Sequence, residues 1–199
     1  MTEVTHNVEF GPNLLLHMHQ VISPDICRDL INLGEGKWKQ AQTDESSKKN
    51  NSLDHRRKSD VVGVDDKWIY DLIWPYMESA NERAGWKYDI TFAEMIQITR
   101  YTKNGFYSWH RDGMGSHKEI ISRGSARKLS MSVILNDDFE GGDFEIYRLE
   151  EHCSVCRDTP KLKTGSIYIF PSVLEHRVSP VTKGTRYSLV IWFLGPPFK

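Results

Sequence analysis

From Lys87 to the C-terminus the sequence alternates short β-forming runs with tight turns, and this pattern constrains the fold more than any other feature. The runs are rich in β-branched and aromatic residues, and the turn sequences KNG, EGG, KTG and KGT separate them. The runs are DITFAEMIQITRY, FYSWH, KLSMSVILN, DFEIYRL, SIYIFP, HRVSPV and RYSLVIWFL. Seven or more short strands predict a β-sandwich or barrel.

Two helices are predicted before the strand-rich part. Ser23-Pro24 supplies an N-cap and a first-turn proline, and the following pattern carries a helix to Gly34, where it is expected to end. A second helix is predicted from Asp65 to Ala84, because apolar side chains recur there at helical spacing. Those side chains are Trp68, Leu72, Ile73 and Met77. Helices on one face of a β-structure make the expected fold class α+β, mainly β.

The organisation of the chain predicts a single domain, residues 1–199. A chain of 199 residues suffices for one substantial core, and it contains neither an internal repeat nor a linker. Residues 1–89, with a first strand in NLLLHMHQVI and both helices, are expected to support a β-structured core in residues 90–199. Residues 43–59 have almost no apolar side chains and are interpreted as a mobile loop, with a lid over substrate as the alternative.

Charge and cysteine content limit the expected partners and location. Lys and Arg number 26 against 27 Asp and Glu, so the net charge of −1 gives no overall attraction to nucleic acid or membranes. The longest apolar runs are too short to span a bilayer. Three cysteines and an N-terminus without signal-peptide features predict a cytoplasmic location. Cys153 and Cys156, near His152, are interpreted as loop thiols because no second ligand pair follows at zinc-site spacing.

The stretch YSWHRDGMG places two strong metal ligands in one strand. Side chains alternate along a strand, so His110 and Asp112 are predicted to share a face with Ser108. The opposite face is expected to carry Tyr107, Trp109 and Arg111. A His-x-Asp pair is short and commonly lies on a protein surface, so a metal site requires a third ligand from elsewhere.

The C-terminal strands supply such a ligand and a candidate anion receptor. His176 lies 64 positions after Asp112, near the start of a strand. In RYSLVIWFL, Arg186 and Ser188 share a face with Val190 and Trp192, whereas the opposite face carries Tyr187, Leu189, Ile191 and Phe193. A guanidinium beside a hydroxyl can bind a carboxylate through charge-assisted hydrogen bonds. The alternative is an arginine at a strand end that reaches solvent.

Together these residues point to iron chemistry. Two histidines and one carboxylate form the facial ligand set of non-haem Fe(II) oxygenases, which leaves coordination positions open for substrates. An Arg-x-Ser unit ten residues after the second histidine could hold the far carboxylate of an acid chelated to that metal.

The sequence resembles the iron- and 2-oxoglutarate-dependent oxygenases, in particular their prolyl 4-hydroxylase-like branch. The resemblance runs from about Ile90 to the C-terminus and rests on three segments in the expected order. They are YTKNGFYSWHRD, LSMSVILNDDFEGGDFEIY and GSIYIFPSVLEHRVSPVTKGTRYSLVIWF. It implies a double-stranded β-helix, a jelly-roll or cupin-like barrel, supported here by N-terminal helices.

The resemblance also implies roles for individual residues. The expected Fe(II) ligands are His110, Asp112 and His176. Arg186 would pair with the distal carboxylate of 2-oxoglutarate, with Tyr101 and Ser188 helping to hold this cosubstrate. Gly141-Gly142 matches a glycine pair that opens a barrel strand. The chain departs from collagen-type prolyl hydroxylases, which usually have Lys at the position of Arg186, and its inserts 113–126 and 148–161 match nothing recognisable.

The implied activity is hydroxylation of a substrate C–H bond with O2, as 2-oxoglutarate is converted to succinate and CO2; ascorbate is a candidate reductant. A prolyl residue in a peptide or protein is the expected substrate. Alternatives are the same chemistry on a free amino acid, another small molecule or a nucleobase, although the near-zero net charge weighs against nucleic acid. A non-catalytic jelly-roll binding protein ranks lower, because the expected ligand set is complete.

Overall fold

Two antiparallel β-sheets face each other and enclose the candidate site. A computed structural model describes residues 15–41, 56–113, 124–149, 155–156 and 161–197. Most of the predicted loop, through residue 55, lies outside the described residues, as do most of the insert 113–126 and both His152 and Cys153.

The described residues form two helices and sixteen short strands. The helices are α1 (Pro24–Leu33) and α2 (Lys67–Arg83). The strands are β1 (Leu16–Met18), β2 (Lys39–Gln40), β3 (Arg57–Lys58), β4 (Asp60–Val64), β5 (Phe92–Ala93), β6 (Ile96–Tyr101), β7 (Phe106–His110), β8 (Ala126–Ile134), β9 (Glu140–Gly141), β10 (Phe144–Ile146), β11 (Arg148–Leu149), β12 (Val155–Cys156), β13 (Ile167–Pro171), β14 (His176–Val178), β15 (Val181–Lys183) and β16 (Arg186–Gly195).

The strand order defines a large and a small sheet. The large sheet has the order β1-β13-β8-β16-β6-β4-β2, with β5 also paired to β16. The small sheet has the order β10-β14-β7-β3, and β9–β15 and β11–β12 form two-stranded ribbons. Within the large and small sheets, neighbouring strands are not consecutive in sequence, as in a jelly-roll barrel. The predicted α+β, mainly β double-stranded β-helix is therefore confirmed.

The helices cover the outer face of the large sheet, as predicted. The Ser23 hydroxyl caps α1 by accepting a hydrogen bond from the amide of Ile26. Buried α2 side chains join one core cluster with the outer-facing side chains of β6 and β16. The buried α2 residues are Ile69, Ile73, Met77 and Ala80. Trp68, one of the apolar side chains from which α2 was predicted, lies off the buried stripe and is 43% exposed.

The N-terminal part also contributes strands to both sheets, because β1, β2 and β4 join the large sheet and β3 joins the small one. The loop prediction was wrong for residues 57–59, since Arg57 and Lys58 pair with β7 and Ser59 is buried. Tertiary pairing overrides the polar composition of this segment. The single-domain organisation stays a prediction. Among the described residues, no helix is long and apolar enough to cross a membrane.

Candidate active site

The candidate site is a cavity between the two sheets. Strands β6, β8, β13 and β16 of the large sheet form one wall, and β3, β7, β10 and β14 of the small sheet form the other. The face of β16 predicted to carry Arg186, Ser188, Val190 and Trp192 lines the cavity, whereas Leu189, Ile191 and Phe193 point into the core. The alternation predicted for this strand is therefore confirmed.

Three predicted site residues converge in this cavity. One potential ligand atom from each of His110, Asp112 and His176 lies within 4.8 Å of the other two. The Nε2 atoms of His110 and His176 each lie 3.5 Å from a different carboxylate oxygen of Asp112. The cross-strand pairing of His176 with His110 brings the two imidazoles together, and the turn after β7 brings the carboxylate between them.

Main-chain carbonyl groups fix the orientation of both imidazoles. Nδ1 of His110 lies 2.8 Å from the carbonyl oxygen of Ser108, and Nδ1 of His176 lies 2.9 Å from that of Leu174. A carbonyl oxygen can only accept a hydrogen bond, so each Nδ1 carries the hydrogen. In the neutral rings, each Nε2 therefore presents its lone pair to the space beside Asp112.

The protonation states of Asp112 and His176 suit metal binding. Burial would raise the pKa of Asp112, but the adjacent His176 and His110 outweigh it and hold that pKa well below its usual range. Burial lowers the pKa of His176, and Asp112 opposes this only in part. At neutral pH the site thus holds a carboxylate anion and an unprotonated imidazole, the forms that bind metals.

A hydroxyl pair, Ser130 and Ser172, supports the carboxylate from behind. The Ser130 hydroxyl donates to Asp112 Oδ2 at 2.8 Å and lies 2.9 Å from the Ser172 hydroxyl. The main chain is also tied down, because the carbonyl of Asp112 accepts a hydrogen bond from Arg127 and the amide of Gly113 donates to Ser172. These contacts leave Asp112 little freedom to rotate, as is usual behind metal-binding carboxylates.

The predicted position of Tyr107 was wrong. His176 pairs with His110 but Val178 pairs with Tyr107, so β7 has one more residue than β14 over this stretch. This β-bulge breaks the alternation of side chains and turns Tyr107 onto the cavity side. Its ring stacks on the imidazole of His110, with centroids 3.5 Å apart and planes 16° apart. The guanidinium of Arg57 lies over the Tyr107 ring, 4.6 Å from its centroid.

At another part of the cavity, Arg186 is buried and forms no salt bridge among the described residues. Its side chain is 1% exposed, and its Nη1 donates to the Ser188 hydroxyl at 2.9 Å. Its guanidinium carbon lies 5.4 Å from the centre of the Tyr101 ring, its cross-strand neighbour. Among the described residues, no carboxylate lies within ion-pair distance of this guanidinium. Burial lowers the pKa of Arg186, but the guanidinium group is so basic that it remains charged at neutral pH.

Gly142 allows the main chain to approach Arg186 closely. The residue has a φ of +63°, and a Cβ there would lie 3.0 Å from Cδ of Arg186. Gly141, at φ +69°, would place a Cβ 2.4 Å from the carbonyl oxygen of Pro180. The glycine pair thus provides both the left-handed turn and the space that the arginine needs.

Sequence reasoning missed several residues that shape the site. Ser130 and Ser172 were not proposed, although a serine in the apolar run KLSMSVILN is an unusual buried polar group that needs a partner. Arg57 and Tyr107 were placed in a loop and on the opposite face, respectively. The pairing of β3 with β7 brings Arg57 to the cavity, and the bulge between β7 and β14 turns Tyr107 toward it.

Comparison with known proteins agrees with this geometry. Residues 96–194 match the family model of the 2OG-Fe(II) oxygenase superfamily. The chain belongs to this superfamily. Membership confirms the predicted resemblance, and with it the Fe(II), 2-oxoglutarate and O2 that such oxygenases use.

The similar proteins include PKHD-type hydroxylases and solved structures of prolyl hydroxylases. A PKHD-type hydroxylase of Synechococcus sp. (strain CC9311) is 34% identical over 120 residues, which are 56% of this chain and 50% of the relative. The chain thus spans about half the length of that relative. Among solved structures, the collagen prolyl hydroxylase of Paramecium Bursaria Chlorella virus-1, in its 2OG complex, has a TM-score of 0.63 and 17% identity, covering 92% of this chain and 96% of that one.

A second solved structure is a Trichoplax adhaerens prolyl hydroxylase in complex with a hypoxia inducible factor oxygen degradation domain peptide fragment. It has a TM-score of 0.64 and 18% identity, and covers 91% of this chain and 83% of that chain. These two structures establish the fold of the present chain as that of the prolyl hydroxylases.

The residues of the cavity fit the cofactor and cosubstrate of the superfamily. Two oriented imidazoles and one carboxylate match the donor set for non-haem Fe(II). The guanidinium of Arg186, buried without a counter-ion among the described residues, matches the need of 2-oxoglutarate for a cationic partner at its distal carboxylate.

Proposed function

We propose that the protein is a 2-oxoglutarate-dependent dioxygenase that hydroxylates a prolyl residue in a peptide or protein. The convergence of His110, Asp112 and His176 in one cavity with a buried guanidinium that has no salt-bridge partner among the described residues is the observation that supports the chemistry. The prolyl substrate rests on likeness to prolyl hydroxylases, one of which holds a peptide in its solved structure.

In this proposal, His110, Asp112 and His176 would hold the iron, and Arg186 with Ser188 would bind the distal carboxylate of 2-oxoglutarate. Tyr101, whose ring lies beside that guanidinium, would help to hold the cosubstrate. Bound iron supplies the redox step, in which one oxygen atom of O2 enters succinate as CO2 is lost and the other becomes the hydroxyl group of the product. The chain's part is to orient the ligands and exclude water from the cavity.

The first test is anaerobic titration of the purified protein with Fe(II) and 2-oxoglutarate, followed by the weak visible charge-transfer absorption of their chelate. The wild type should show the band, and His176→Ala should lose it. Arg186→Ala should need about 10- to 100-fold more 2-oxoglutarate, because a charge-assisted contact is removed. Exposed residues provide matched controls, and His19→Ala and Arg83→Ala should behave like the wild type.

A second step separates catalysis from binding. Proline-containing peptides should stimulate succinate formation and gain 16 Da, the mass of one oxygen atom. Absence of the band in a folded, iron-loaded wild-type protein would overturn the oxygenase proposal and favour a non-catalytic binding protein. A band without stimulation by any prolyl peptide would retain the cofactor chemistry and redirect the search to free amino acids, small molecules and nucleobases.

A further inference from the structure

The cavity contains a second arginine of the same kind as Arg186. Arg57 is 8% exposed and lines the cavity from β3, an edge strand of the small sheet. Its Nε donates to the Ser59 hydroxyl at 2.7 Å. The sequences RKS at 57–59 and RYS at 186–188 are thus two Arg-x-Ser units. In each unit the arginine donates a hydrogen bond to the hydroxyl of its own serine.

Among the described residues, Arg57 makes a hydrogen bond only to Ser59, through its Nε. Nε is occupied, whereas the two Nη groups find no hydrogen-bond acceptor among the described residues. Within those residues, no carboxylate lies within ion-pair distance either. An arginine that is nine-tenths buried without a counter-ion is costly, so its retention facing a cavity points to an anionic ligand.

Arg57 lies one aromatic ring away from a metal-ligand candidate. Tyr107 stacks on His110 at a centroid distance of 3.5 Å, so the imidazole covers one face of the phenol ring. The guanidinium, 4.6 Å from the same centroid, therefore lies over the other face. A ligand group bound to Arg57 would be close to the reacting centre and separate from the position assigned to the distal carboxylate of 2-oxoglutarate.

The charges of the cavity favour a negatively charged substrate. Asp112 contributes one negative charge, and Arg57 and Arg186 contribute two positive charges. If the proposed function holds, the +2 charge of Fe(II) and the −2 charge of the 2-oxoglutarate dianion cancel. One positive charge then remains among the described residues of the cavity, at Arg57.

We propose that Arg57 is a substrate-binding residue that holds a carboxylate of the substrate beside the reacting carbon. This inference rests on the proposed function and narrows its substrate class. The carboxylate can belong to the hydroxylated residue itself, as in a C-terminal proline, or to a neighbouring acidic side chain. In both cases the guanidinium binds it through the Nη1 and Nη2 edge, as in other bidentate arginine–carboxylate pairs.

Two matched pairs of probes test the inference and separate the sources of the carboxylate. N-acetyl-Gly-Pro is compared with N-acetyl-Gly-Pro-amide, and N-acetyl-Pro-Asp-amide with N-acetyl-Pro-Asn-amide. Binding is measured by anaerobic calorimetry with Fe(II) and 2-oxoglutarate present, and turnover by succinate formation. In at least one of the two pairs, the wild type should bind the carboxylate-containing probe about 10- to 100-fold more tightly than the matching amide. This is the affinity that one charge-assisted hydrogen-bonded contact contributes.

The variants assign this preference to Arg57. Arg57→Gln should bring the ratio of acid to amide affinity close to one, while the 2-oxoglutarate affinity and the chelate band stay at wild-type values. Lys58→Gln removes the same charge from an exposed position on the same strand and should keep the full ratio. Ser59→Ala keeps the guanidinium but releases its Nε, so an intermediate ratio is expected.

Two results would overturn the inference. One is a wild type that shows the chelate band but binds acid and amide equally in both pairs. The other is a folded Arg57→Gln variant, checked by its melting temperature, that keeps the preference; Arg57 would then serve only to stack on Tyr107. Loss of the chelate band in the wild type would instead count against the proposed function itself.

Discussion

Ser130→Ala should weaken metal binding without touching a candidate ligand. The Ser130 hydroxyl donates to the Oδ2 atom of Asp112 at 2.8 Å, and its own lone pair faces the Ser172 hydroxyl at 2.9 Å. A hydrogen bond to a charged group contributes about 1.5–3 kcal/mol, and loss of such a partner behind a metal ligand typically costs about 10- to 100-fold in affinity. We therefore expect the Fe(II) dissociation constant to rise by about 10- to 100-fold.

The assay is competition with a chelator of known affinity under anaerobic conditions. Ser132→Ala is the matched control, because this serine is buried in the same strand and lines the same cavity. Its Fe(II) affinity should stay within about twofold of the wild type, since no hydrogen bond to Asp112 is lost. An unchanged dissociation constant in a folded Ser130→Ala protein would refute the view that this hydroxyl orients the carboxylate.

Three further predictions address the cosubstrate end, the fold and pH. Gly142→Ala should raise the 2-oxoglutarate dissociation constant in chelate-band titrations, because a Cβ at φ +63° would press on Cδ of Arg186 at 3.0 Å; an unchanged constant would count against this contact. Gly165→Ala should lower the free energy of unfolding by more than Gly36→Ala in urea titrations. Both have positive φ, but only the Cβ at 165 would meet a main-chain carbonyl oxygen, at 1.9 Å, and the expected extra cost is at least ~1–3 kcal/mol. Stability of the metal-free protein should fall as pH drops below 6.5. Burial lowers the pKa of His176 from its ordinary value, so in that window the unfolded chain binds a proton that the folded chain does not. Urea titrations at several pH values should show this slope, and His176→Gln should reduce it.

Elements with strong local signals were predictable from the sequence. Helix α1 has its N-cap at Ser23 and ends at Leu33, one residue before the predicted stop at Gly34. Strand β7 has the bounds of the run FYSWH. Strand β16 is extended and paired on both sides, and its side chains alternate from Arg186 to Trp192, which places Arg186 and Ser188 on the cavity face.

The remaining features depend on contacts between distant segments. The bulge in β7 arises from its pairing with β14. No residue type in FYSWH indicates a bulge, so the sequence assigned Tyr107 to the wrong face. The buried position of Arg57 depends on its stack with Tyr107 and on Ser59, partners that a polar composition does not indicate. In both cases the local sequence does not determine whether the side chain faces the cavity, and contacts between distant segments do.

The hydrogen bonds that orient the two imidazoles bear on how this site can evolve. Each Nδ1 binds the carbonyl oxygen of the residue two positions earlier, Ser108 or Leu174. The main chain supplies this oxygen whatever side chain stands there, so substitutions at these two positions can reshape the surroundings of the metal without changing the tautomer of either ligand. Metal loading would then require no rotation of either ring, and the surrounding side chains are free to diverge toward new substrates.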